Sequence, residues 1–267
     1  MRVQARRLIA RSPAPARARV AALVGPGNPN AAFIAPDLSF LYIAVPKAAN
    51  STIKRALLAL QGVEVEDAGA MHAIRAVKDG YLRLHELDSG QARRVLRGPG
   101  TFRFTFVRNP YERMVSAYKD KVLGLNQNHP EGFAANLFAG GEAPSFAAYV
   151  RAYTAIDDWR SDIHWRSQHM NAAVDVVPYD LIGRVETFEQ DFGAVLARIA
   201  PGSPATRLVR PTNISPADAA DPVYTEELAE RVYRRYARDF SLFGYDPADY
   251  PRARSDSSSS PVAGGLK

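Results

Sequence analysis

The residues Phe40-Leu41-Tyr42-Ile43-Ala44-Val45 put six apolar side chains in a row. Successive side chains of a strand point to opposite faces, so an unbroken run needs apolar cover on both sides. That is the pattern of a strand inside a parallel sheet with helices on each face. Pro46 stops the strand. Beyond it Ile53, Leu57 and Leu60 recur at helical intervals, with Lys54 and Arg55 off that face. Asn50 or Ser51 is the predicted N-cap. A strand, a loop carrying Lys47 and a helix start with hydroxyls make an anion-binding device, because free N–H groups and a lysine charge converge there. The loop is not a nucleoside-triphosphate P-loop: it has no glycine, and Lys47 precedes Ser51 by four positions.

A second segment has the same design. Thr101 to Val107 alternates aromatic and other residues as a strand does, and Arg108 follows directly. Asn109 suits the N-cap, Pro110 the first helical position, and Glu112 the reciprocal place in a capping box. Tyr111, Val115, Tyr118 and Val122 share the face predicted to be buried, with Arg113 and Ser116 on a neighbouring one. Arg108 thus stands at a strand's carboxyl end beside a helix N-terminus, where open α/β sheets bind ligands. A guanidinium there suits a phosphate, which it can grip through two donors.

The two segments resemble the phosphosulfate loop and the 3′-phosphate segment of sulfotransferases that use 3′-phosphoadenosine 5′-phosphosulfate (PAPS), most closely the carbohydrate sulfotransferases of the chondroitin 4-O and HNK-1 type. Val45-Pro46-Lys47 with Ser51, Thr52, Lys54 and Arg55 is similar to the first, and Phe106 through Lys121 to the second. Two further blocks agree: His164-Trp165 followed by Tyr179 through Glu189, and Tyr233, Tyr236, Asp239-Phe240 and Phe243-Gly244-Tyr245. The resemblance spans about residues 38–246. The chain departs from it in having no cysteine, and in Asn109, where an acidic residue is common.

The resemblance implies an α/β, P-loop-like three-layer sandwich with a central, mainly parallel sheet flanked by helices. It also implies sulfuryl transfer from PAPS to a hydroxyl of a carbohydrate acceptor, polysaccharide or glycolipid, with adenosine 3′,5′-bisphosphate (PAP) as product. Pro46, Lys47, Ala48, Ala49, Asn50, Ser51 and Thr52 are then the cradle of the 5′-phosphosulfate, with Lys47 stabilising the leaving phosphate. Arg108, Arg113 and Ser116 are the candidates for the 3′-phosphate. No metal is expected, since the leaving group is good and no carboxylates stand at metal spacing. The base that takes the acceptor proton is expected to be His72, which lies between the two segments, or His164, with Glu186 as a third candidate. His85, His129 and His169 have no supporting context. Trp159 and Trp165 read as core aromatics, and Arg231, Arg234, Arg235 and Arg238 as a solvated helix face. A nucleotide-dependent kinase and a non-catalytic PAP-binding protein are the competing readings; the first lacks its glycine loop.

Charge argues against a nucleic-acid partner. The 267 residues carry 34 basic and 28 acidic side chains, a net +6. Setting aside six arginines before residue 31, and three basic and one acidic residue from 252 onward, leaves 25 basic against 27 acidic, a net of −2. Residues 1–30 are expected to be an Arg-rich tail able to touch an anionic surface, 31–251 a single catalytic domain, and 252–267 a Ser/Gly-rich tail. No apolar run is long enough for a membrane span, from which a soluble, cytoplasmic, bacterial-type enzyme is expected. Further expectations are a helix over Ile74–Leu96, a breaker-rich excursion over 124–145 and a helix over Ser145–Tyr153. Strands are expected over Val174–Val177 and Arg184–Glu186. A helix capped by Thr187 with Gln190 should end at Pro201-Gly202, and a last one should run from Pro222 to Phe240.

Overall fold

The computed structural model describes residues 31–63, 80–123, 144–202 and 222–252. Both tails, His72, the first part of the Ile74–Leu96 stretch and nearly all of 124–145 lie outside the described residues. Among the described residues, four strands form one sheet in the order β1 (Ala32–Ile34), β2 (Phe40–Ile43), β3 (Phe102–Val107) and β4 (Leu181–Arg184). β1 is antiparallel to β2; β2, β3 and β4 run parallel, with Tyr42 opposite Phe104 and Phe106 opposite Gly183. The helices are α1 (Asn50–Leu60), α2 (Ser89–Arg97), α3 (Pro110–Ala117), α4 (Phe146–Thr154), α5 (Gln168–Asn171), α6 (Phe188–Ile199) and α7 (Glu226–Phe243). None is long and apolar enough to cross a membrane.

The sheet is covered on both faces, as the apolar run of β2 requires. On one, Tyr42, Phe104 and Phe106 pack with Ile53 and Leu57 of α1 and with Phe188, Phe192 and Val195 of α6. On the other, Leu41 and Ile43 meet Val95 and Leu96 of α2 together with Val176 and Val177. A third core joins α3, α4 and α7 through Tyr111, Met114, Tyr149, Trp165, Val232 and Phe240. The result is the expected α/β architecture: a mixed, mostly parallel sheet between helices.

Several local expectations change. Val174–Val177 is a turn, not a strand: Ala173 takes φ +50°, and its carbonyl accepts from both Val176 and Val177 N–H. Val176 and Val177 still bury their side chains and Val174 is half-buried, so their pattern mimics a strand. The predicted strand over Arg184–Glu186 begins earlier, at Leu181, and ends at Arg184. From residue 80 the Ile74–Leu96 stretch is not one helix. Leu82 bridges to Ile34, a short 3₁₀ turn covers Leu84–Glu86, and α2 starts only where Asp88 accepts from Gln91 N–H at 2.8 Å. Thr187 precedes α6 without capping it through its side chain, its hydroxyl donating instead to Asp191 at 2.7 Å. The last helix runs over Glu226–Phe243, not from Pro222 to Phe240: it starts behind the cap Thr225, and Gly244 ends it at φ +65°.

Gly183 holds the β3–β4 pair close. A Cβ there would lie 2.5 Å from the Phe106 ring, which packs across the glycine onto Phe188 and Phe192. Gly183→Ala is therefore expected to destabilise the fold by about 1–3 kcal/mol, measured as a lower midpoint in urea at unchanged slope.

Candidate active site

The site forms where β2 and β3 end side by side. Ile43 pairs with Thr105, so the loop after β2 and the start of α3 leave the sheet at the same edge. The loop is tight: Lys47 (φ +69°) and Ala49 (φ +55°) both adopt the left-handed region, which costs non-glycine residues energy and recurs at functional sites. Ala49, not Asn50 or Ser51, occupies the N-cap, and no side chain caps the helix. Asn50 lies within the first turn, its Oδ1 only at the limit of a bond from the Tyr42 hydroxyl at 3.5 Å. The missing cap has a chemical use, because the first N–H groups of α1 stay available to an anion. Ser51 is half-buried there, whereas the Thr52 side chain is buried. Pro46 and Ala48 are buried too and offer backbone only.

Lys47 is nearly buried, and its Nζ lies 3.0 Å from Asp120 Oδ2. Burial pushes the ammonium below its ordinary pKa; Asp120 opposes that shift, while Lys121 and Arg108 add to it. Arg108 is thus near enough for its charge to bear on Lys47. Its guanidinium is partly exposed and reaches Glu112 at 3.3 Å. Glu112 is thus Arg108's partner rather than half of a capping box; Asn109 caps α3 alone, accepting from Tyr111 N–H at 2.9 Å. Asn109 N–H donates to Glu186 at 2.6 Å, and the Tyr245 hydroxyl donates to the same carboxylate at 3.0 Å, so Glu186 is a structural acceptor rather than a base. Ser116 is half-buried one turn beyond Glu112 and one turn before Asp120, on the helix face that Asp120 turns toward Lys47.

Arg113 does not join this set. Its guanidinium is buried and donates to three backbone carbonyls, Pro46 at 3.0 Å, Arg166 at 2.9 Å and Ile163 at 3.1 Å. It holds the loops of the site instead of an anion. Lys54 also departs from expectation: it is buried 5.0 Å over the Phe33 ring, and burial lowers its pKa to about 8.

The His164 loop completes the cleft. His164 Nδ1 lies 2.6 Å from Asp162 Oδ1, which also accepts from His164 N–H at 2.9 Å. Burial pushes the imidazole pKa down, Asp162 pulls it up, and the charges of Lys121 and Lys47 lower it again. The histidine thus sits within reach of the Lys47 charge, with Nδ1 engaged by Asp162. Trp165 is a core side chain, stacked 4.1 Å from Tyr153 and donating to the Tyr149 hydroxyl. Trp159 is instead exposed. The α7 arginines each meet a carboxylate, and Arg235 is largely buried against Asp158 at 2.9 Å rather than solvated.

Three partners were beyond sequence reasoning. Asp120 and Asp162 are ordinary surface-type residues until tertiary contacts aim them at Lys47 and His164. Gln168 is the third: fully buried, it accepts from Arg108 N–H at 2.9 Å and donates to Arg108 C=O at 2.7 Å, extending the ladder past the end of β3. Asp239 of α7, wholly buried, accepts from Gln168 N–H at 2.7 Å and His169 N–H at 2.9 Å, and so fixes Gln168.

With this geometry in view, residues 30–246 match the model of the sulfotransferase family. The chain belongs to that family. It is 28% identical over 225 residues to carbohydrate sulfotransferase 14 of Danio rerio, covering 77% of this chain and 59% of the relative. Carbohydrate sulfotransferase 8 of Mus musculus is 26% identical over 249 residues, 83% of this chain and 58% of the relative. Carbohydrate sulfotransferase 10 of Homo sapiens is 24% identical over 249 residues, 82% and 67% respectively. The chain spans less than two thirds of the first two of these relatives. No solved structure matches.

Since Gln168 satisfies both backbone groups of Arg108, Gln168→Leu should orphan them. It is expected to cost about 1–3 kcal/mol for each group, read from urea unfolding. A neutral result would remove Gln168 from the support of Arg108.

Proposed function

We propose that this member of the sulfotransferase family transfers a sulfuryl group from PAPS to a hydroxyl of a carbohydrate acceptor, polysaccharide or glycolipid, giving a sulfate ester and PAP. The observation that carries the reading is the placement of Lys47 and Arg108 at the ends of adjacent parallel strands, each beside a helix start and each within the other's field. Family membership supports the donor, and the names of the relatives support the class of acceptor. The single-domain span 31–251 and the cytoplasmic location belong to the same proposal.

PAPS supplies an activated sulfuryl group. The uncapped N–H groups of α1, the Ser51 hydroxyl and Lys47 hold the 5′-phosphosulfate end. Arg108 exchanges the half-exposed Glu112 for the 3′-phosphate, with Ser116 one turn further along. His164 Nε2 takes the proton of the acceptor hydroxyl as its oxygen bonds to sulfur, and Asp162 keeps the imidazole oriented through Nδ1–H. The bond from sulfur to the bridging oxygen breaks, and Lys47 stabilises the charge that develops on the departing phosphate. Positioning and charge stabilisation supply the catalysis, as in phosphoryl transfer.

Calorimetry with PAP, AMP and ATP tests the donor site. PAP should bind best, and Arg108→Ala should abolish its advantage over AMP; a preference for ATP would favour a kinase and overturn the reading. Transfer of labelled sulfate from PAPS onto fractionated polysaccharides then separates a catalyst from a protein that only binds PAP.

The pH profile tests the base. Only neutral imidazole can accept the proton, and the His164 pKa lies below its ordinary 6.5. The rate should therefore be full above that value and fall as the pH drops through the lowered pKa. His164→Gln should cost about 10²- to 10⁴-fold in rate and erase this acid limb. A limb that persists moves the base elsewhere, with His72 the next residue to replace.

A further inference from the structure

Asp120 lies between two ammonium groups. Its Oδ2 is 3.0 Å from Lys47 Nζ and 3.2 Å from Lys121 Nζ, and all three side chains are close to 13–15% exposed. The arrangement is not a default of helical geometry. Adjacent helical residues diverge and do not face each other, yet Asp120 and Lys121 meet. They do so in a π-helical turn, Tyr118–Val122, that widens the end of α3. Such turns concentrate at functional sites.

The cluster bears on the function proposed above, on which this inference rests, because the same Lys47 must there engage the 5′-phosphate end of the donor. In a nearly buried place, withdrawing one partner of an ion pair strands the other, at a cost larger than the pair is worth. A lone Lys47–Asp120 pair would thus oppose the donor. Lys121 changes that balance, for it stays on the same carboxylate oxygen when Lys47 leaves.

We infer that Asp120 is the resting counter-ion of Lys47, that the incoming phosphate takes Lys47 from it, and that Lys121 stays with Asp120 during the exchange and lowers its cost. Asp120 and Lys121 are positioning residues in this scheme. They set how readily the Lys47 ammonium is released, and no bond is made or broken at either.

The test is calorimetry of the full chain with PAP at fixed ionic strength. Asp120→Asn should tighten PAP binding by at least about fivefold, the upper end for an exposed ion pair, because this pair is shielded and the competitor for Lys47 is gone. Lys121→Gln should weaken it by a similar factor, since Asp120 then loses the cation that stays with it when Lys47 leaves. In the double variant the Lys121→Gln penalty should vanish. Asp120→Ser, which removes the same charge, serves if the Asn variant does not fold. Weaker or unchanged binding in both Asp120 variants would overturn the inference, assigning Asp120 to orienting Lys47 or to the acceptor. A Lys121→Gln penalty of equal size in both backgrounds would also overturn it, placing Lys121 on the nucleotide itself. Failure of the wild-type chain to bind PAP is a different result, and it removes the proposed function instead.

Discussion

A single buried guanidinium holds the cleft together. Arg113 projects from α3 into the interior and meets three carbonyls, one from the loop of Lys47 and two from the loop of His164. Both loops are irregular, with carbonyls that no strand or helix ladder satisfies; the Asn171 amide also donates to those of Ile163 and Arg166, and a buried carbonyl left unpaired costs about 1–3 kcal/mol. A planar fork of fixed donors can reach three acceptors at set angles; a lysine presents one point charge and cannot substitute. Burial lowers the guanidinium pKa, yet arginine's is so high that the charge persists, and nearby Asp239 and Asp158 favour it. The segment that carries Arg108 thus also fixes the two other loops of the site relative to it.

The second support comes from the far end of the chain. Asp239 of α7 caps α5, and α5 presents Gln168 to the backbone of Arg108. Tyr236, one turn earlier, donates to the Trp165 carbonyl at 2.6 Å, next to His164. α7 has non-helical angles at this tyrosine, φ −114° and ψ +22°. One helix therefore fixes the backbone beside both Arg108 and His164, which explains why the block Tyr233 to Tyr245 belongs with the site. Precision at a site comes from the packing of the groups behind it.

What the sequence revealed was local. The apolar run of β2, the Asn109-Pro110 helix start and the Phe188, Phe192, Val195, Leu196 stripe each follow from a periodicity or a cap within a dozen residues. What it concealed depended on partners far along the chain. Val176 and Val177 are as buried as strand residues, so composition could not separate Val174 to Val177 from the turn that Ala173 imposes. Arg113 and Arg108 stand five residues apart, and nothing in their types says that one faces carbonyls and the other the cleft. Lys54 carries a charge and is expected outside; only the ring of Phe33 and the loss of solvent tell otherwise. Asp162 and Gln168 acquire meaning only when the His164 loop folds back on β3.

The charges of the cleft share one arrangement, and it bears on how a polyanion is chosen. Lys47 rests on Asp120, Arg108 on Glu112, and the His164 imidazole on Asp162. Each positive or proton-accepting group is engaged by a carboxylate of the chain itself, in keeping with a body whose net charge is slightly negative. A site built this way projects little attraction over distance, so it selects by exchange at contact rather than by steering. The exchanges are unequal. The Arg108–Glu112 pair is half-open to solvent and worth little, so a phosphate replaces the carboxylate at small cost. The Lys47–Asp120 pair is shielded and is given up only to a group of comparable charge set as closely. On the proposed function, the 3′-phosphate end therefore engages readily and the 5′ end discriminates, which places the stricter test at the end of the nucleotide where the reacting sulfur lies.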